Sequence, residues 1–112
     1  MSRVQEQFAF LQDLCKLVTW CAERGYIVTG GELWRTVEQQ KIYVQTGRSK
    51  TMNSKHLDRL AIDLNFFRGD TMLTTTSDIA PFGKYWESLD PKNRWGGNFS
   101  TFKDAPHFER CV

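Results

Sequence analysis

Only two histidines occur in the 112-residue chain, His56 and His107, and each stands near a carboxylate that its surroundings do not readily explain. The first opens the stretch "SKHLDRLAIDLNFF", where Asp63 interrupts an apolar run of Ala61, Ile62, Leu64 and Phe66. An unpaired charge buried there costs on the order of several kcal/mol, so Asp63 needs a partner, which an arginine or a metal ion could provide. The second histidine sits in "DAPHFE", three residues after Asp104. Two imidazoles and one carboxylate form an N/O set of the kind that holds a catalytic zinc with a fourth position open for water. Asp104 supplies the other requirement, a base that is not a ligand. Pro106 opposes a regular helix between it and His107, so its carboxylate can approach the site without occupying the ion.

Spacing limits this reading. His56 and Asp63 are seven residues apart, which in a continuous helix separates them by roughly 10 Å along the axis. In a continuous strand they would stand roughly 23 Å apart on opposite faces. Chelation therefore requires a bend, which the polar "LDR" segment is predicted to hold. Residue types alone leave a structural alternative open, in which the histidine is an ordinary hydrogen-bonded residue and the aspartate caps or pairs locally.

The elements that must position these groups can be read from periodicity. Residues 4 to 24 place Phe8, Leu11, Cys15, Val18 and Ala22 at steps of three and four, an apolar stripe on a helix that Gly25 ends. "YIVTGGELW" reads as a strand broken by Gly30 and Gly31. A second helix is predicted from about Thr36, carrying Val37, Gln40, Ile42 and Val44, and then "TGRSKTMNS" as a polar loop. "LAIDLNFF" reads as a strand buried on most of its faces. Residues 68 to 78 read as loop, and Pro81 and Gly83 confine a third helix to the later part of "IAPFGKYWESL". A terminal strand begins near His107. This alternation points to α+β, one small domain over residues 1–112 with a short, mainly antiparallel sheet packed against helices.

Composition narrows the function classes. With 40% hydrophobic and 25% charged residues the chain is a folded globular protein. A net charge of +2 falls short of a nucleic-acid footprint, and no recognition motif is present. Three cysteines, Cys15, Cys21 and Cys111, lack CxxC or zinc-finger spacing, so no disulfide framework is expected and a reducing, cytoplasmic site of synthesis fits. No apolar run approaches the roughly 18 residues of a membrane span, and "MSRVQEQFAF" lacks the order of a signal peptide, so neither membrane insertion nor ordinary export is expected. The four tryptophans read as core or site-wall residues, and Arg48, Lys50, Lys55 and Arg59 as a solvated basic face able to attract substrate carboxylates if it lies near the cleft.

Ser54-x-His56 followed by Ala61-x-Asp63, with the tail "WGG" and "DAPHFE", resembles the zinc D-Ala-D-Ala and L-Ala-D-Glu peptidases of the M15 family, known from bacterial carboxypeptidases and phage endolysins. The likeness extends upstream to Arg35-Thr36 and Gln40 and covers roughly residues 25 to 110. It implies the hedgehog/DD-peptidase-like fold with the zinc site at the sheet. It also implies zinc at His56, Asp63 and His107, Asp104 as general base and acid, Arg35 holding substrate and polarising its carbonyl, and Ser54 and Gln40 supporting the site. Two positions depart from the common pattern. Arg59 stands where many members have glycine, so the bend is expected to use a non-glycine conformation. Asp104 stands where many have glutamate, which requires a closer backbone.

The resulting expectation is a zinc metallopeptidase of bacterial peptidoglycan, cutting the L-alanyl-D-glutamate bond of the stem peptide as a phage or prophage endolysin. It is expected to be monomeric, to be made in the host cytoplasm, and to need a holin to reach the wall. The alternatives are a D-alanyl-D-alanine carboxypeptidase or dipeptidase, and a non-catalytic zinc-containing module that binds wall peptides or a protein.

Overall fold

A computed structural model describes residues 1–49, 51–52 and 54–112. Helix α1 (Arg3–Glu23) starts on a capping box between Ser2 and Gln5, each satisfying the other's backbone N–H. Strand β1 (Ile27–Gly30) follows, then helix α2 (Val37–Gln45), whose Thr36 hydroxyl accepts from the Gln39 N–H. A short 3₁₀ turn (Lys55–Asp58) leads into strand β2 (Ala61–Arg68). Strand β3 (Thr71–Leu73), helix α3 (Thr76–Leu89), strand β4 (Asn93–Trp95) and strand β5 (His107–Arg110) complete the fold.

β2 organises the sheet. Its second half pairs with β1, Ile27 opposite Phe67, and with β3, Phe66 opposite Leu73. Its first half pairs with β5, placing Asp63 opposite His107, and β4 closes the far edge. All pairings are antiparallel. Side chains alternate across a strand, so Ile62, Leu64 and Phe66 enter the core and Asp63 turns to the opposite face. On β5, Phe108 enters the core, whereas His107 and Glu109 share the face of Asp63. The core lies between the sheet and α1 and α3, where Phe66 stacks on Phe82 at 4.2 Å and Phe10 meets Trp86 edge-on at 5.5 Å.

Several elements differ from the sequence reading. α1 buries Phe10, Leu14, Leu17 and Cys21, with Glu6 and Asp13, and leaves Phe8, Leu11, Cys15 and Val18 exposed. Both stripes have steps of three and four. The buried one is selected by its partners: Glu6 meets Lys92 and Arg110, and Asp13 accepts from the Asn93 amide. Residues 68 to 78 are not loop throughout. A two-residue turn, Gly69-Asp70, folds β3 back on β2, and α3 already begins at Thr76. α3 also runs through Pro81, whose missing N–H forfeits one intrahelical bond, to the Ser77 carbonyl. Gly83 does not break the helix, because it is where the Trp95 ring packs: a Cβ there would meet that ring at 2.1 Å. Trp34 is exposed rather than core, whereas Trp86 and Trp95 are buried.

Candidate active site

Every sequence-predicted site residue reaches one pocket of 480 Å³ or its immediate support. The bend between His56 and Asp63 is the 3₁₀ turn, capped by Ser54, whose Oγ accepts from the His56 N–H at 3.3 Å. Arg59 ends it at φ 58° and ψ 35°, the left-handed conformation. The expectation of a different, non-glycine bend is therefore corrected: the arginine adopts the glycine-like geometry itself. That costs roughly 1–2 kcal/mol for an L-residue, partly offset as its guanidinium stacks 4.8 Å over the exposed Trp34 ring.

This bend carries His56 back over the sheet to the Asp63–His107 pair. His56 Nε2 and His107 Nδ1 point at the same oxygen, Asp63 Oδ1, at 3.4 Å and 3.6 Å. One ligand atom from each of the three residues lies within 4.8 Å of the others. A tetrahedral ion with bonds of about 2.0–2.1 Å sets its ligand atoms about 3.4 Å apart, so the observed separations fit such an ion. Asp63 Oδ1 is also a buried acceptor with no hydrogen-bond partner among the described residues, which a cation would satisfy. The two outward ring nitrogens are already held: His56 Nδ1 is 3.0 Å from the Leu33 carbonyl and His107 Nε2 is 2.7 Å from Glu109 Oε1. Such partners fix the ring orientation and tautomer of metal-binding histidines.

The protein's own groups polarise this cluster. Burial disfavours the Asp63 charge, yet His107 and His56 outweigh it and hold the carboxyl well below the usual carboxylate range. Burial likewise disfavours a charged His107, but Asp63 and Glu109 raise its pKa to about 9.

Asp104 lines the same pocket on the loop before β5. Its position follows from Gly96, whose carbonyl accepts from the Asp104 N–H at 3.0 Å while the Asp104 carbonyl accepts from the His107 N–H at 3.0 Å. A Cβ on Gly96 would stand 2.1 Å from the Asp104 carbonyl oxygen and 3.0 Å from His107 Cβ, so only glycine permits this close turn. Asp104 as a whole residue is exposed. Desolvation by the surrounding protein raises its pKa, His107 opposes the shift, and the nearby Asp63 charge adds to it.

Arg35 is almost fully buried and held by a fork of contacts. It pairs with Glu32, donates to Gln40 Oε1 at 2.6 Å and to Ser54 Oγ at 3.3 Å, and lies 4.5 Å over the Tyr43 ring. Gln40, fully buried on α2, donates in turn to Ser49 Oγ. The sequence reading missed Glu32, Tyr43, the Leu33 carbonyl and Glu109. Tyr43 donates to Glu32 Oε2 at 2.8 Å, completing the cradle of Arg35. Glu109 carried a readable signal, since a residue two beyond His107 on a strand shares its face. Glu32 is a local partner three residues before Arg35, whereas Tyr43 meets them only where α2 folds back against the β1–α2 loop.

This constellation coincides with a family match. A model described as D-alanyl-D-alanine carboxypeptidase, of the M15 peptidases, matches residues 47–110. The chain belongs to the M15 peptidase family. This M15 chain is 33% identical over 103 residues to the L-alanyl-D-glutamate peptidase of Listeria phage A118, a match covering 84% of the chain and 34% of that relative. It thus spans about a third of the relative's length. Its fold matches the Serratia marcescens L-Ala D-Glu endopeptidase ChiX with a TM-score of 0.71 at 23% identity, over 88% of this chain and 78% of that one. Within this M15 chain the His56, Asp63 and His107 group forms a site able to hold a metal ion. No helix among the described residues is long and apolar enough to cross a membrane.

Proposed function

We propose that this chain is a single catalytic domain, a zinc-dependent peptidase that hydrolyses the L-alanyl-D-glutamate bond of the peptidoglycan stem peptide. The observation that carries the reading is the approach of His56 Nε2 and His107 Nδ1 to one buried oxygen of Asp63, with Asp104 in the same pocket. The borderline N, N, O donor set suits zinc. The names of the phage relative and of the structural neighbour support the choice of bond.

A bound zinc supplies Lewis acidity to the site. The protein's groups do the rest. Asp104, with its pKa raised toward the working pH, takes the proton from the attacking water. Water oxygen joins the carbonyl carbon, the C–N bond breaks, and Asp104 returns the proton to the leaving amine. Arg35 faces the scissile carbonyl, and its contacts with Glu32, Gln40 and Ser54 keep the guanidinium oriented before substrate arrives. A protein made in a host cytoplasm would reach the wall through a membrane lesion, the role of a holin.

The test is digestion of purified peptidoglycan, with and without chelator and zinc restoration, read by mass spectrometry of the new ends. New L-Ala C-termini and D-Glu N-termini, lost on chelation, are expected. Released D-Ala would replace this reading with the carboxypeptidase that the family model's description favours. A folded, zinc-loaded protein that cuts nothing would point to a binding module.

A further inference from the structure

Folding divides the basic cluster of the sequence. Arg59 stacks on Trp34 and lies outside the pocket, whereas Arg48 and Lys55 line it. Lys50 falls outside the described residues. The pocket's other charges are engaged: Glu32 with Arg35 and Tyr43, Asp63 with the two histidines, and Glu109 with His107. Asp104 is the proton carrier of the proposed reaction. Arg48 remains, with no carboxylate side chain in ion-pair reach among the described residues, whereas the Lys55 ammonium donates to the Val112 main-chain oxygen at 3.4 Å. The Arg48 backbone is anchored by its N–H, which donates to the Tyr43 carbonyl at 2.8 Å, and its guanidinium lies 5.8 Å from the Tyr43 ring. Ser49, Thr51 and Ser54 add polar groups along the same wall, whereas Phe99 and Phe102 contribute aromatic lining to the pocket.

We infer that Arg48 forms a subsite for a free carboxylate on the residue that supplies the leaving amine. The inference rests on the peptidase reading and sharpens its substrate class. A glutamate that continues a peptide through one carboxyl keeps the other free, and a terminal D-Ala likewise carries a free carboxylate. Both sources offer a planar anion to a guanidinium, which binds it through paired N–H donors. Neutral amides offer no charge to this wall. Arg48 is thus a specificity-determining residue, separate from the proton transfers of Asp104.

The experiment compares L-Ala-D-Glu and D-Ala-D-Ala peptides, each with that carboxylate free or converted to its primary amide, on the zinc-loaded enzyme. Wild type should favour the free acid in kcat/KM by at least about tenfold, the value of one charge-assisted hydrogen bond. In Arg48→Met the acid-to-amide ratio should fall toward one, and Arg48→Lys should recover part of it. Which peptide pair shows the effect identifies the source of the carboxylate. Binding of the acid and amide forms is measured in parallel by calorimetry on the zinc-loaded protein. Tighter, Arg48-dependent binding of the acid without cleavage would sustain the subsite and sink the proposed reaction. Equal handling of acid and amide by wild type, in turnover and in binding, would overturn the subsite itself.

Discussion

Glu109 Oε1 and His107 Nε2 stand 2.7 Å apart on one face of β5, leaving His107 Nδ1 directed at Asp63. Removing that support should loosen the metal without touching a ligand. Glu109→Leu is expected to lower zinc affinity by about 10–100-fold in competition with a chromophoric chelator. Glu109→Gln, which keeps an acceptor, should lose less. Unchanged affinity in Glu109→Leu would contradict the positioning role.

Asp104 and His56 should separate by their readouts. Asp104→Asn is expected to retain zinc by metal analysis and to lose hydrolysis, because its carboxylate moves protons and binds no ion. His56→Ala should lose both. Equal zinc loss in the two variants would merge the roles assigned to them.

Stability should depend on pH in a definite direction once a chelator has removed any metal. His107 has a folded pKa of about 9 against an ordinary 6.5, so its contribution is complete below the ordinary value and is lost as pH rises through about 9. Asp63 has a lowered pKa, so its contribution is present above the ordinary carboxylate range and is lost as pH falls beneath it. Thermal unfolding of chelator-treated protein should therefore be most favourable to the fold between about pH 4 and 6.5, and on the order of 1–3 kcal/mol should be lost by pH 10. Saturating zinc should remove the alkaline loss, because the metal requires neutral His107. The same alkaline loss with and without zinc would refute the assignment to His107.

Two glycine-linked positions should respond in opposite ways to intuition from propensity. Gly83→Ala improves helix propensity in the middle of α3, yet the new methyl meets Trp95, so a net loss of about 2 kcal/mol is expected in denaturant titration. Arg59→Gly relieves a left-handed arginine but gives up its stack on Trp34 and adds freedom to the unfolded chain. Its stability should stay within about 1 kcal/mol of wild type. A large loss there would show that Arg59 does more than close the turn.

Much of the candidate site was legible in one dimension because its chemistry imposes rare residue choices. An acid inside an apolar strand demands a partner, and the chain has only two histidines to offer. The seven-residue separation demanded a bend, found as the 3₁₀ turn and left-handed Arg59. Pro106 excluded a helix before His107, and a turn occupies that place. The α+β class and the start of β5 also followed from periodicity and breakers.

Other features were decided by packing. α1 carries two stripes of equal spacing, and only the positions of Lys92, Asn93, Arg110 and Trp86 determine that Phe10, Leu14 and Leu17 are the buried one. α3 continues through Pro81 because its buried face against α1 and the sheet outweighs one missing hydrogen bond. The closure of Tyr43 on the Glu32–Arg35 pair and the split of Arg48 from Arg59 depend on which segments the tertiary fold brings to the pocket. Local sequence sets what each residue can do and how its own turn or strand runs. Contacts between segments far apart in the chain have no local spacing to announce them, so only the folded structure assigns their partners.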